Sequence, residues 1–86
     1  ARMPRTVSAG ASRSTWASDV EALTPRQREV LLLIARGLSN TEIEVELGIT
    51  RATCRSHITA LLARLGARDR AQLVIAAYEA GLISPR

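Results

Sequence analysis

Apolar side chains recur along this chain at helical spacing. Downstream of Gly48, Cys54, Ile58, Leu61 and Leu65 follow one another at intervals of three or four residues, a single stripe at about 100° per residue. With that stripe turned inward, Ala52, Arg55, Ser56 and Thr59 project from the other side of the first two turns, a small, hydrogen-bonding face containing a cation. Upstream, Leu31, Ile34, Ala35 and Leu38 share a face with Val30 at its border, while Leu32 and Leu33 lie outside it. So wide an apolar arc predicts broad burial in a small bundle; contact with a further domain is the sharper alternative. After Gly66, Ala71, Val74, Ile75 and Tyr78 form one apolar face and Leu73, Ala76, Ala77 and Ala80 another. That is more apolar surface than one core needs. The face of small side chains is expected to pair two copies, against the alternative of full burial within the monomer.

Start and stop signals divide the pattern into four helices. Thr24, Pro25 and Gln27 supply a capping box with Pro at the first helical position, and Gly37 ends that helix. Ser39 and Glu42 form a second capping box, so a helix starts at Asn40 and closes at Gly48. Thr50 then caps the long helix. Asp69 and Gln72 repeat the capping-box spacing, and Gly81 stops the last helix. The turn Gly48, Ile49, Thr50 is short, has Gly inside and carries Ile49 to plug the angle between its helices, the helix-turn-helix pattern. A helix of roughly 15 residues at about 1.5 Å each is about 22 Å long, enough to cross a major groove about 12 Å wide. An ordinary amphipathic helix with a solvated polar face would show the same period.

Composition narrows the possibilities. Eighty-six residues with a net charge of +4 make one small domain, near the size at which a single helical core is marginal, and a large enzyme fold is excluded. Every basic side chain is Arg, which suits bidentate phosphate and guanine contacts but also follows from codon bias. Arg51, Arg55, Arg64, Arg68 and Arg70 cluster in and just after the long helix against Asp69 alone, a candidate phosphate-facing patch. The lone Cys54 permits no internal disulfide and fits a reducing cytosol; on the core stripe it reads as a small hydrophobe rather than a redox sensor. Without a second His, a paired Cys or a carboxylate at ligand spacing, His57 reads as a helix residue, and no metal or other cofactor is expected. No nucleophile and base pair and no phosphate-cradling glycine loop supports catalysis. No signal peptide or membrane-spanning apolar run is evident. Residues 1–21, rich in Ala, Ser and Arg with a lone Trp16, read as a linker or tail before a domain over 22–83. A start at Ala1 rather than Met is expected to reflect either a processed terminus or, as the favoured reading, a piece cut from a longer protein.

The blocks LTPRQREVL, GLSN with EI, the LGITRATCRSHI turn and helix, and the final LG with its RAQ helix occur in that order. Together they resemble the C-terminal DNA-binding domain of LuxR-type regulators, the GerE-like group that includes FixJ and NarL response regulators, over about residues 22–83. The resemblance implies an all-α, four-helix helix-turn-helix domain whose third helix reads DNA and whose fourth pairs two copies. The family's threonine and the basic residue two positions on fall at Thr53 and Arg55, and its next reader positions at Ser56 and Thr59. The expected DNA-binding set is Asn40, Thr50, Arg51, Ala52, Thr53, Arg55, Ser56, His57, Thr59 and Arg64, with Arg55 the main base reader, and the expected dimer residues are Leu73, Ala76, Ala77 and Ala80. Two positions depart from the family pattern: Cys54 replaces Val, and Glu44, close to Glu42 and Glu46, replaces Ala, where it is expected either to pair with Arg51 or Arg55 or, if exposed, to repel DNA phosphate. Implied partners are duplex DNA, a second copy, RNA polymerase and an upstream receiver or sensor domain, in the cytoplasm and away from membranes. Two alternatives stand beside this reading, region four of a sigma factor and a helical protein-interaction module. The capped helix after Asp69 argues against the sigma factor.

Overall fold

The computed structural model describes residues 16–84. These residues form five helices and no strand: α1 (16–21), α2 (Pro25–Ala35), α3 (Asn40–Leu47), α4 (Arg51–Leu65) and α5 (Arg70–Glu79). The last four are the helices expected from the sequence. α1 is additional and lies within the stretch expected to be a linker or tail; residues 1–15 of that stretch lie outside the described residues.

The starts of α2 and α3 follow from local chemistry. Thr24 Oγ1 accepts from the Gln27 amide at 3.1 Å while Gln27 Oε1 accepts from the Thr24 amide at 3.1 Å; Ser39 and Glu42 repeat the arrangement at 3.2 and 2.7 Å. Each box satisfies two of the backbone donors that a helix start leaves unpaired. At α5 the box is only half formed. Asp69 accepts from the Gln72 amide at 3.0 Å, but Gln72 reaches back to the Arg68 amide at 2.9 Å instead of to Asp69, whose backbone is extended (φ −157°, ψ 179°).

Leu31 and Ile34 from α2, Ile43 from α3, Leu61 from α4 and Leu73 from α5 meet in one fully buried core. Leu33 is buried as well, so most of the wide apolar arc of α2 is spent within the domain, while Leu32 is half-buried at its edge. α2 packs most extensively on α5 and also on α4, while α3 rests on α4.

The structure corrects the expected dimer seam. Leu73, Ala76 and Ala77 are fully buried inside the monomer and Ala80 is half-buried, whereas Ile75 and Tyr78 on the other face are 48% and 39% exposed. The physical reason is the closeness of α2 to α5. Alanine at 76 and 77 lets the two helices approach while Leu73 fills the space between them; Tyr and β-branched Ile in those places would overpack the contact.

α1 joins the core through Val20, and Leu23 follows in the turn after it; both are nearly inaccessible. Trp16 Nε1 donates to the Leu65 carbonyl at 3.0 Å, satisfying an acceptor left open at the end of α4. Arg28 Nη2 donates to the Glu21 carbonyl at 2.9 Å and the Leu23 carbonyl at 3.3 Å, placing a cation at the C-terminus of α1 where the helix dipole favours one.

Candidate nucleic-acid interface

α3 and α4 are joined through Gly48, Ile49 and Thr50. Gly48 adopts φ 64°, a left-handed conformation that Gly enters without a Cβ penalty, and the Ile49 amide closes back on the Glu44 carbonyl at 3.0 Å. Ile49 is half-buried against the core and sets the angle between the helices. Thr50 then caps α4: its Oγ1 accepts from the Thr53 amide at 3.1 Å and donates to Thr53 Oγ1 at 3.0 Å. Both hydroxyls serve the helix start, which restricts what either can offer a ligand.

The predicted stripe roots α4 in the core: Cys54, Leu61 and Leu65 are buried and Ile58 is half-buried. By the helical period this turns Arg51, Ala52, Arg55, Ser56 and Thr59 outward, and all five are exposed. Neither arginine has a side-chain partner among the described residues. The result is a protruding face of about two turns with two unengaged guanidinium groups, two hydroxyls and an alanine that allows close approach. Its hydrogen-bond inventory suits phosphate oxygens and the edges of bases. His57 sits half-buried at the edge of this face and makes no side-chain hydrogen bond among the described residues.

Two expected contact residues are drawn away from the face. Arg64 lies thirteen positions beyond Arg51, about 20 Å along the helix, and its Nη2 donates to the Ala22 carbonyl at 3.0 Å. Asn40 accepts through Oδ1 from Arg70 Nη1, and its carbonyl accepts from Cys54 Sγ at 3.9 Å. Arg70, counted by sequence among the phosphate-facing arginines, thus faces inward to the α2–α3 turn. Glu44 is half-buried and pairs with neither Arg51 nor Arg55 among the described residues.

Cys54 is fully enclosed, as its place on the stripe predicts. Burial pushes its thiol pKa up, the nearby Glu44 carboxylate adds to that rise, and Arg70 opposes it. The thiol therefore stays protonated at neutral pH, consistent with its role as donor to the Asn40 carbonyl.

The residues that sequence reasoning missed are those bracing the far end of α4. Trp16, Val20 and Leu23 stand at i, i+4 and i+7, a helical apolar spacing that was available to be read. The polar composition around them hid it.

A family model described as bacterial regulatory proteins, luxR family, matches residues 21–77. The chain is also 46% identical over 63 residues to the response regulator protein VraR of Staphylococcus aureus (strain Mu3 / ATCC 700698), and equally to proteins of that name from Staphylococcus saprophyticus and Staphylococcus epidermidis. The match covers 73% of this chain and 30% of each relative, so the chain spans under a third of the length of these curated relatives. The capped α3, the Gly48 turn and the outward face of α4 fall inside the matched segment, and this chain belongs to the luxR family of bacterial regulatory proteins.

Proposed function

We propose that this chain is the sequence-specific DNA-binding effector part of a transcriptional regulator, with α4 in the major groove. The observation that carries the proposal is the exposed, unpartnered face of Arg51, Ala52, Arg55, Ser56 and Thr59 on a helix whose other side is rooted in the core. Membership of the luxR family and the presence of α5 beyond the reader helix favour this over a sigma-factor region. A gel shift against random-sequence duplex at two salt concentrations tests it. Binding should weaken steeply as salt rises, because each neutralised phosphate releases counterions. No binding even at low salt would leave the protein-interaction module as the better reading.

The relatives are named response regulators and are more than three times as long as the matched segment; the full-length protein is accordingly proposed to carry an upstream receiver, to act in the cytoplasm with RNA polymerase, and to catalyse no reaction through this domain. Dimerisation is assigned to the outward face of α5. Ile75 and Tyr78 are exposed there, and Tyr78 borders an open groove of about 450 Å³ shared with Leu32, Arg36, Leu82, Ile83 and Ser84. Pairing two copies along this face would set two α4 helices on one inverted repeat. Ile75→Glu should keep the fold, since exposed substitutions usually alter stability by no more than about 0.5 kcal/mol, yet abolish cooperative binding to a two-half-site duplex. Identical sedimentation and identical cooperativity for Ile75→Glu and the parent would place the seam elsewhere.

Glu44 bears on affinity. Unpaired and near the start of α4, it acts as a repelling charge toward phosphate. Glu44→Ala should tighten binding at low salt, and the gain should fade as the Debye length falls to about 8 Å at physiological ionic strength. Weaker binding by this variant at low salt would show instead that Glu44 helps position α4.

A further inference from the structure

We propose that Arg70 is a positioning residue for DNA reading, a latch from the start of α5 that holds the start of α3 and, through it, the orientation of α4. Its two terminal guanidinium nitrogens are divided between two acceptors: Nη1 donates to Asn40 Oδ1 and Nη2 to the Leu38 carbonyl. Both acceptors lie in the turn that leads into α3 and its first residue. Asn40 passes the connection on, because its carbonyl accepts from Cys54 Sγ, and Cys54 is a fully buried root of α4. A chain of polar contacts therefore runs from α5 through α3 to the reader helix at the level of its outward Arg51 and Arg55.

Local electrostatics do not account for Arg70. It occupies the first position of α5, where the helix dipole disfavours a cation. A residue that contradicts its local preference is explained by tertiary contacts, and here those contacts are a planar fork matched to two separate oxygens. Lysine, with a single ammonium, cannot reproduce that geometry. Arg70 is half-buried, and its bonds to Asn40 and to the Leu38 carbonyl hold the guanidinium at the start of α3 rather than out toward a ligand.

The inference rests on the DNA-binding reading for its effect, but not for its structural content. Arg70→Gln, Arg70→Lys and Asn40→Ala are to be compared with the parent on the duplex that the parent selects from a randomised library, across a salt series. Cys54 labelling by a disulfide-forming thiol reagent is followed in parallel under native conditions. Arg70→Gln should bind about tenfold more weakly, the scale of a lost charge-assisted hydrogen bond, with an unchanged slope of log affinity against log salt. Arg70→Lys should recover only part of the loss. Cys54 labelling should accelerate in Arg70→Gln and, to a lesser degree, in Asn40→Ala, whose exposed position keeps the fold intact if Arg70→Gln melts. A salt slope reduced by about 0.9 would make Arg70 a phosphate contact and overturn the latch. Unchanged Cys54 labelling in both Arg70→Gln and Asn40→Ala would overturn it too. If the parent itself selects no duplex, the DNA-binding reading fails, and the labelling result alone decides the latch.

Discussion

Replacing Leu73 with glutamate is expected to unfold the domain rather than to produce a well-folded monomer. Leu73 has no accessible surface and sits in the core among Leu31, Ile34 and Leu61. Removing a buried leucine side chain costs about 2 to 5 kcal/mol, and an unpaired carboxylate in its place adds several kcal/mol more. The stability of natural domains is typically only about 5 to 15 kcal/mol, and a chain this small belongs at the lower end. Circular dichroism should therefore show no cooperative melt for Leu73→Glu, while Leu73→Ala should melt at a clearly reduced temperature. A stable Leu73→Glu protein with an altered oligomeric state would restore Leu73 to the surface and reverse the assignment of faces on α5.

Arg55→Ala is expected to flatten the preference among DNA sequences while the fold is retained. The side chain is exposed, has no partner among the described residues and lies one helical turn beyond Arg51 on the outward face of α4. A guanidinium at that depth can bond a guanine edge through two hydrogen bonds, worth about 1 to 3 kcal/mol of discrimination, or roughly 5- to 150-fold. The measurement compares affinity for the parent's selected duplex with affinity for a scrambled one. If the ratio is kept and both affinities fall together with a shallower salt slope, Arg55 contacts phosphate and base reading belongs to Ser56, Thr59 or Arg51.

The feature most plainly legible in the sequence is the local frame of α2 to α5. A capping box spans four residues and a left-handed glycine closes a helix through bonds four or five residues long, so Thr24 with Gln27, Ser39 with Glu42 and Gly48 carry their outcome within the segment that contains them. The apolar stripe of α4 is equally local, because any helix through Cys54, Leu61 and Leu65 places those three on one side. Turning that side to the core commits Arg55, Ser56 and Thr59 to the other, and the candidate interface follows from periodicity alone.

Three matters were decided by the tertiary structure. α5 offers two apolar faces, and periodicity has no means of choosing between them. Its close packing on α2 selected Leu73, Ala76 and Ala77 for burial and left Ile75 and Tyr78 outside. The arginines were likewise indistinguishable by charge and spacing: Arg64 bonds the Ala22 carbonyl, 42 positions away, and Arg70 reaches Asn40, 30 positions away, while Arg51 and Arg55 remain unengaged. A guanidinium goes to whichever acceptor the folded backbone brings within reach, and the nearest in sequence need not be the nearest in space. The third matter is the docking of α1, whose six described residues are too few to hold a helix by themselves. What stabilises it is Val20 in a core built by the other four helices, together with Trp16 on the open end of α4, a surface that exists only once those helices have packed.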